Sequence, residues 1–260
     1  MSLKNNTFEY KKEGEIETPF STFLKYSNEK LNTSKKIAQI LNQYKKDTIS
    51  VLDIGGGDGI LLKESLASSN VIVSDITIVD PNKDILDKAR ENFSSSNNVS
   101  FVEQSFETWN STQTFDVVLA SHLYHIEDKD LQEQYESFLK KVTPGGILIF
   151  IMRKVDDIFV FKTLFKKKVM GQEYVAQTID KAITIFNSTV PPSQITNDEV
   201  YAQLLLPYKE SKEDTDRILS FLLGKKVELL EESLIHEIYD YLKIVDGKFS
   251  QIDGILLIEA

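Results

Sequence analysis

An apolar segment that ends in an acid and three alternating glycines constrains this chain more than any other feature. Residues 51–62 read VLDIGGGDGILL, in which an apolar run stops at the glycines and then resumes. The pattern predicts a strand, a tight turn and the start of a helix. Gly55, Gly57 and Gly59 can adopt positive φ angles, and they let backbone N–H groups approach a ligand closely because they have no Cβ. The sequence therefore predicts a ligand site at this turn.

The spacing of the glycines argues against a dinucleotide cofactor. The dinucleotide fingerprint G-x-G-x-x-G needs a third glycine, which lets the helix pack closely against the strand. Counted from Gly55 and Gly57, that position is Ile60. A nicotinamide-dependent oxidoreductase is therefore only a distant alternative. The observed D-x-G-x-G-x-G pattern resembles motif I of the class I S-adenosylmethionine-dependent methyltransferases.

A further acid follows the next predicted strand. The apolar residues 76–79 are followed by Asp80, Pro81 and Asn82. An acid at the tip of the second strand of such a unit can accept hydrogen bonds from both hydroxyls of a ribose. We predict that Asp80 is this ribose ligand. The alternative is that Asp80 or Asn82 caps the helix predicted at residues 82–93.

Strands and helices alternate through the centre of the chain. Three more strands are predicted at residues 99–103, 116–120 and 146–152, and two helices at 84–93 and 129–142, the second ended by the TPGG of residues 143–146. The alternation predicts a doubly wound α/β fold with parallel pairing and ligands at the carboxyl ends of the strands. The segment 139–148 also resembles the same methyltransferases, which implies a Rossmann-like, mostly parallel seven-stranded sheet with extra helices over the acceptor site.

The last third of the chain is less regular. The sequence predicts a helix at residues 173–187, a strand at 200–206, a polar loop at 209–216, helices at 214–223 and 227–242, and a final strand at 254–258. By analogy with the methyltransferase fold, the final strand is expected to be antiparallel. We expect one domain, residues 1–260, in which 47–155 bind the cofactor. Residues 1–46 and 156–260 are expected to cover the acceptor.

The composition limits the classes of molecule that the protein is expected to bind. The formal net charge of −10 disfavours a nucleic-acid substrate, and the most basic run, residues 165–169, is typical of a solvated helix end. The chain has no cysteine, so it has neither disulfides nor a thiolate metal site, and no metal-ligand set is predicted. No apolar run is long enough to span a membrane, and no signal peptide is found. We expect a cytoplasmic protein that acts on a small molecule.

Several segments in order resemble the histamine N-methyltransferase family. They are residues 20–29 (FSTFLKYSNE), 54–57 (IGGG), 79–81 (VDP), 123–128 (LYHIED) and 257–260 (LIEA). The resemblance implies an acceptor site in which Glu29 holds the amine-bearing substrate, Tyr124 forms a wall and Gln251 contacts the acceptor. Ser121 stands where that family has a glutamine and His125 where it has a second aromatic residue, and these two differences argue against histamine itself as the acceptor.

The remaining cofactor contacts are expected at the carboxyl ends of strands. The loop after the third strand supplies Ser105, with Gln104, to the adenine, and the fourth strand ends at Ala120, whose backbone would meet the methionine part. Gly55 and Gly57 would line the cofactor from below. Asp53 would balance its positive charges, or would simply order the loop by accepting backbone N–H bonds.

Together these features predict methyl transfer from S-adenosylmethionine to an amine or imidazole nitrogen. The methyl group is already activated, so the enzyme mainly holds a nucleophile in line with it. Glu29, His122 or His125 could take the proton of an amine. Two alternatives remain: a methyltransferase of this fold that acts on oxygen, carbon or a macromolecule, and a non-catalytic module that binds the cofactor. A complete acceptor cavity would distinguish an enzyme from a pure binding module.

Overall fold

The computed structural model describes residues 18–124, 126 and 130–260 of the chain. The strands are β1 (Thr48–Ile54), β2 (Ile72–Val79), β3 (Val99–Val102), β4 (Phe115–Ser121), β5 (Val142–Arg153), β6 (Ile195–Leu205) and β7 (Lys248–Glu259). The helices are α1 (Pro19–Lys25), α2 (Glu29–Gln43), α3 (Ile60–Ala67), α4 (Lys83–Asn92), α5 (Leu131–Leu139), α6 (Asp157–Met170), α7 (Ile179–Thr189), α8 (Lys212–Leu223) and α9 (Glu232–Ile244).

The seven strands form one sheet in the order β3-β2-β1-β4-β5-β7-β6. β1 pairs in parallel with β2 and β4, and the outer pairs β2–β3 and β4–β5 are also parallel. β7 pairs antiparallel with β5. The predicted doubly wound, mostly parallel sheet and its antiparallel final strand are therefore confirmed. The strand order reverses between β1 and β4, which is where ligands bind in open α/β sheets.

The central strands are buried on both faces because their sequences are almost wholly apolar. The second half of β1 and most of β4 and β5 are inaccessible to solvent. One core cluster includes Phe115, Tyr135, Phe138, Phe150 and Phe186. A second cluster contains the alternate residues of the same strands together with buried residues of α2 and α4. The two clusters fit a sheet covered on both sides by helices.

The chain divides into two compact units. The first comprises the described part of Met1–Asn28 with Asp157–Tyr174 and Gln203–Ser250, and the second comprises Glu29–Asp156, Val175–Ala202 and Gln251–Ala260. The first unit has its own apolar core, which includes Phe161, Phe165 and Phe249. Phe161 and Phe165 therefore serve packing, as their helical spacing indicates.

One predicted helix ends earlier than expected. α5 stops at Leu139, and β5 begins at Val142, so the TPGG turn lies within the strand; residue 129 falls outside the described part. The reason is pairing with β4, since Phe115 N–H donates to Lys141 O at 2.8 Å. Gly145 has a φ of +75° where the register of the two strands shifts. A local bulge thus absorbs residues that normally stop a helix.

Other predictions in the last third were also inaccurate in their bounds. The helix expected from residue 173 begins at Ile179, after an extended Thr178, and the 82% exposed Val175 does not hold the earlier residues in a helix. The helix expected at 227–242 is a short 3₁₀ turn followed by α9, because Glu231 is extended. Strands β6 and β7 extend beyond their apolar centres because cross-strand pairing holds polar residues as well.

Among the described residues, no helix is both long and apolar enough to cross a membrane.

Substitution of Phe186 tests the packing of the first core cluster. Its buried ring lies 5.2 Å from the ring of Tyr135 and 5.5 Å from that of Phe150. Phe186→Ala should lower the free energy of unfolding by about 3–5 kcal/mol, since it leaves a cavity. Val175→Ala, at an exposed site, should change it by less than about 0.5 kcal/mol. Urea denaturation of both variants measures the difference, and equal losses would contradict the described packing.

Candidate functional site

The glycine turn after β1 has the backbone conformation that its sequence predicts. The φ angles of Gly57 and Gly59 are +57° and +68°, which favour glycine. A Cβ on Gly59 would lie 2.8 Å from the ring of Phe93, so this glycine lets the start of α3 pack closely. A Cβ on Gly57 would meet only Ile85, at 3.7 Å. The open space over Gly57 is where a ligand can approach the backbone.

Asp80 lies directly beside this turn, although 23 residues separate it from Gly57. It follows β2 and is 9% exposed. Gly57 N–H donates to its Oδ2 at 3.1 Å, and Asn82 N–H donates to its Oδ1 at 2.8 Å. The side chain of Asn82 accepts from Ile85 N–H and caps α4. Asn82 is therefore the helix cap, and each Asp80 oxygen keeps a lone pair for another donor.

Asp53, near the end of β1, is buried beneath the same turn. A Cβ on Gly56 would lie 2.6 Å from the Asp53 Oδ2 atom. Burial, together with the charges of Asp80 and Asp58, raises the pKa of Asp53 to about 8. This carboxyl group therefore holds its proton near neutral pH unless a positive charge comes close. Asp58 is paired with Lys30 at 3.3 Å.

The end of β4 packs against the glycine turn. Ala120 is fully buried and is the register partner of Ile54, the last residue of β1. A Cβ on Gly55 would lie only 2.4 Å from Leu123 Cδ2, so the residues that follow β4 cover this glycine. β4 extends one residue beyond Ala120, to Ser121. The structure thus brings together the turn, Asp80 and the segment after β4.

Two predicted adenine contacts follow β3 at the same edge of the sheet. Ser105 begins a short 3₁₀ turn, and its hydroxyl lies 3.1 Å from that of Thr108. Gln104 is exposed. Neither side chain is buried, so both can reach a ligand, and their assignment to adenine stays a prediction.

A second cluster of polar groups surrounds Glu29, the first residue of α2. Glu29 is only 8% exposed, which excludes the simple surface acid that a helix start could supply. Gln251 Nε2 donates to Glu29 Oε2 at 2.6 Å, and the Arg153 guanidinium donates to the same oxygen. Arg153 also pairs with Asp156 at 2.9 Å. The structure therefore brings Glu29 and Gln251, which are 222 residues apart, into direct contact.

His122 and Asp253 extend this cluster. His122 Nε2 lies 3.1 Å from Asp253 Oδ1 and 3.7 Å from Glu29 Oε1, and its Nδ1 lies 3.0 Å from Ser121 Oγ. Thr33 donates to the second oxygen of Asp253 at 3.0 Å. The φ of His122 is +56°, a rare conformation for a residue other than glycine. Such local strain is typical of functional positions.

His122 and Asp253 each favour the charged form of the other. Burial opposes protonation of His122, but the carboxylates of Asp253 and Glu29 outweigh burial and raise its pKa above the ordinary value. Burial alone would raise the pKa of Asp253, yet His122, Arg153 and the hydroxyl of Thr33 lower it below the ordinary value. The pair therefore favours an imidazolium next to a carboxylate.

Tyr124 lies over this cluster. It is 48% exposed, and its ring centroid is 5.7 Å from that of His122 with an interplanar angle of 31°. The position is compatible with the predicted wall of an acceptor site. His125, the other aromatic residue predicted there, lies outside the described residues.

Sequence reasoning missed Arg153, Asp253 and Thr33. Arg153 and Asp253 are direct register partners in the β5–β7 pair, and this pairing is antiparallel between distant segments. The usable signal was a charged residue beside a long apolar run, in MR at the end of β5 and in QIDGILLI within β7. A buried charge in such a strand needs a partner. The sequence alone does not say which partner.

A protein-family model matches the part of the chain that contains the glycine turn. Residues 51–146 match the family described as Methyltransferase domain. The matched segment covers less than half of the chain. It contains the glycine turn, Asp80, Ser105, Ala120 and Tyr124. Glu29, Gln251 and Asp253 lie outside it, so the match covers the predicted cofactor residues but only Tyr124 and His125 among the predicted acceptor residues.

Two sequence relatives are similar to part of this chain. A malonyl-[acyl-carrier protein] O-methyltransferase of Halalkalibacterium halodurans is 33% identical over 125 residues, which are 44% of this chain and 44% of that protein. The polyketide synthase component of compactin nonaketide synthase from Penicillium citrinum is 29% identical over 123 residues, which are 44% of this chain and 4% of that protein. The chain therefore spans less than half the length of each relative.

Solved structures share the fold of this chain over most of its length. A protein from Bacillus halodurans C-125, described as a methyltransferase, aligns with a TM-score of 0.57 at 16% identity, over 87% of this chain and 97% of that one. A protein of Galdieria sulphuraria, described as a sarcosine dimethylglycine methyltransferase, gives 0.53 at 13% identity, over 88% and 85%. At such identities the similarity establishes the fold alone.

The burial of Asp53 beneath the glycine turn predicts that the stability of the folded protein depends on pH. Because the folded-state pKa of Asp53 is raised from 3.8 to about 8, the folded protein binds the proton more tightly, and this contribution to stability is lost as pH rises from about 4 to 8. Asp53→Asn cannot lose that proton. The melting temperature of D53N relative to the wild type should therefore increase from pH 5 to pH 9 by several degrees, at about 2–4 °C per kcal/mol.

Differential scanning calorimetry without added ligand measures this difference. Asp84→Asn is the matched control, because Asp84 is an exposed acid in the first turn of α4. A D53N difference that is the same at pH 5 and pH 9 would show that Asp53 is ionised in the folded protein.

Proposed function

We propose that the chain transfers the methyl group of S-adenosylmethionine to a small-molecule acceptor, at an amine or imidazole nitrogen. One observation carries the proposal: the glycine turn with its acid partner Asp80 borders, through the segment after β4, a buried and predominantly acidic cluster. The first part suits the cofactor, and the second suits a cationic acceptor. The methyltransferase domain match supports the first part.

The residues at the turn fit this cofactor. Gly57 leaves room for a ligand at the backbone, since a Cβ there would meet only the side chain of Ile85, at an ordinary contact distance of 3.7 Å. Asp80 is held by two backbone N–H groups, so its carboxylate is preorganised, and its remaining lone pairs suit the two ribose hydroxyls. Ser105 and Gln104 would contact the adenine, and Gly55 and Ala120 would offer backbone to the methionine part.

The protonation of Asp53 is expected to change when the positively charged cofactor binds. A cation near the turn favours the ionised carboxylate and so releases the proton that the buried group holds. Binding would therefore be stronger at higher pH. The sulfonium supplies an activated methyl group when it is bound. The chain itself needs only to bind and orient the cofactor and the acceptor and to accept one proton.

The acceptor is proposed to bind at the Glu29 cluster. Among the described residues of this cluster, three carboxylates (Glu29, Asp156 and Asp253) accompany one guanidinium and one imidazole, so negative groups predominate even when His122 is protonated. Buried excess charge favours a ligand of opposite sign. Tyr124 would pack against the acceptor, and Gln251 would fix the orientation of Glu29. That residues 1–46 and 156–260 cover the acceptor remains a prediction, as does the wider likeness to the histamine N-methyltransferase family.

A second candidate is methyl transfer to the oxygen of a carboxyl group. The buried Arg153 could bind a carboxylate, and the O-methyltransferase of H. halodurans shares 33% identity over the matched residues. However, Arg153 already pairs with Glu29 and Asp156, whose charges exceed its own. The acidic surplus of the cluster therefore favours the amine.

Asp80 tests the cofactor half of the proposal. Asp80→Asn removes the negative charge that the ribose hydroxyls would use and keeps the shape of the side chain. The dissociation constant for S-adenosylhomocysteine should rise more than about tenfold, which corresponds to about 1.4 kcal/mol. Isothermal titration calorimetry measures it, with Asp84→Asn as the control on the same helix start. Unchanged affinity in D80N would remove Asp80 from the site.

Glu29 tests the acceptor half. A panel of amines, including histamine, 2-phenylethylamine and dimethylglycine, with malonate as a carboxylate, is incubated with methyl-labelled S-adenosylmethionine. At least one amine should be methylated, and Glu29→Gln should raise its KM at least about tenfold, since a buried charge-assisted contact is lost. The affinity of E29Q for S-adenosylhomocysteine should stay within about twofold.

Three outcomes would change the proposal. Methylation of malonate alone would favour the carboxyl acceptor. Cofactor binding without turnover of any compound would favour a non-catalytic binding module. An unchanged KM in E29Q would remove Glu29 from the acceptor site.

A further inference from the structure

Tyr124 presents an aromatic surface beside the Glu29 cluster. Its side chain is 48% exposed, and its ring centroid lies 5.7 Å from that of His122. The preceding residue, Leu123, packs against Gly55, where a Cβ would lie 2.4 Å from Leu123 Cδ2. Tyr124 therefore follows directly on the residue that covers the glycine turn, and its ring borders the proposed acceptor site.

The hydroxyl end of Tyr124 lies among charged groups and keeps its proton. Burial, together with the carboxylates of Glu29 and Asp253, raises the pKa of Tyr124, and the guanidinium of Arg153 opposes this rise. The phenol is therefore neutral across the physiological pH range. A neutral phenol ring carries partial negative charge on its faces, and this charge attracts cations.

The charges next to the ring also favour a cation. Among the described residues of the cluster, Glu29, Asp156 and Asp253 are acidic, and Arg153 and His122 are basic. Three carboxylates against two basic groups leave an excess of negative charge even when His122 is protonated. A surplus of negative charge beside an aromatic ring favours a positively charged ligand.

The carboxylates of the cluster already accept hydrogen bonds from the protein. Gln251 and Arg153 donate to Glu29 Oε2, and both oxygens of Asp253 have partners within the cluster, at 3.0 and 3.1 Å. Such carboxylates act on a ligand by their charge more than by accepting N–H bonds. A methylated ammonium has fewer N–H donors than a primary one, and a quaternary ammonium has none. These ions therefore lose the fewest hydrogen bonds on entering this site.

From the exposed ring and the engaged carboxylates we propose that the acceptor is a methylated amine, which Tyr124 binds by a cation–π contact, and that methylation proceeds to the quaternary ammonium. The inference rests on the proposed function and deepens it. The protonated amine first gives its proton to solvent. The lone pair of the tertiary amine then forms the N–C bond, while the C–S bond breaks and its electron pair stays on sulfur. Nitrogen gains the positive charge that sulfur loses, and the Tyr124 ring stabilises that charge.

A cation and a neutral molecule of the same shape test the contact without turnover. Choline and 3,3-dimethylbutan-1-ol are such a pair, and their binding is measured by isothermal titration calorimetry on the protein saturated with S-adenosylhomocysteine. Choline should bind more tightly. Tyr124→Leu should weaken choline binding at least about fivefold, a typical strength for a cation–π contact, and leave that of the alcohol within about twofold. Tyr201→Leu, at a 63% exposed tyrosine of β6, is the matched control and should bind choline as the wild type does.

Fluorinated phenylalanines at position 124 separate a cation–π contact from simple packing. Tyr124→Phe keeps the ring and serves as the reference. Each added fluorine withdraws electrons from the ring face and preserves the shape and apolar character of the ring. The affinity for choline should therefore fall stepwise from the mono- to the trifluorinated ring. The affinity for S-adenosylhomocysteine should stay within about twofold of the reference.

Turnover of a graded series tests the substrate class. The most active amine of the panel is compared in its primary, N-methyl and N,N-dimethyl forms with methyl-labelled S-adenosylmethionine. The value of kcat/KM should be highest for the dimethyl form, and mass spectrometry should detect the trimethylammonium product. Tyr124→Leu should lower kcat/KM for the dimethyl form at least about fivefold.

Each failure has its own signature. An equal loss of choline and alcohol affinity in Y124L, or an affinity that does not change with fluorination, would overturn the cation–π contact. Methylation of the primary amine without methylation of its dimethyl form would overturn the methylated acceptor and leave the proposed function intact. Absence of methylation of every amine, with choline still bound through Tyr124, would overturn the proposed function and the transfer to a quaternary ammonium.

Discussion

Parallel pairing of β1 with β2 and β4 is the constraint on which the rest of the structure depends. It brings the carboxyl ends of three strands to one edge, where Gly57 N–H meets Asp80 and Leu123 covers Gly55. The order of the sheet reverses at β1 and β4, so the helices that follow these strands leave a crevice there. Without this pairing, the glycine turn and Asp80 would not lie side by side.

The antiparallel pair β5–β7 has a different consequence. It sets Arg153 opposite Asp253 and brings both to the start of α2, so that Glu29, Gln251 and His122 share one buried network. Burying several charges costs free energy unless each is paired, and well-packed apolar residues would serve stability as well or better. In the described part of the chain this network contains three carboxylates, one guanidinium and one imidazole, and the predominance of negative groups supports the proposal that it binds a cationic acceptor. The left-handed backbone conformation of His122 is also typical of a functional position.

Local patterns predicted the fold well where one element decides its own structure. The strand-turn-helix of residues 51–62 and the apolar strands β2, β4 and β5 carry their signals in consecutive residues, so their positions followed from the sequence. Boundaries were wrong where long-range pairing overrides local preference. Residues 142–146 join β5 because they pair with β4, although TPGG normally ends a helix without starting a strand. Residues 173–178 have helical spacing, but the regular helix begins only at Ile179, after the extended Thr178.

The sequence by itself determined the doubly wound sheet, the positive φ angles of the glycine turn and the position of Asp80 at a strand tip, because each depends on residue type and local spacing. Resemblance to a known family also singled out Glu29 and Gln251. Only the tertiary structure decided that these two side chains touch, that Asn82 rather than Asp80 caps α4, and that Arg153, Asp253 and Thr33 complete the cluster. Contacts across more than 100 residues depend on strand order and register, and no local pattern in one sequence encodes which buried charge meets which.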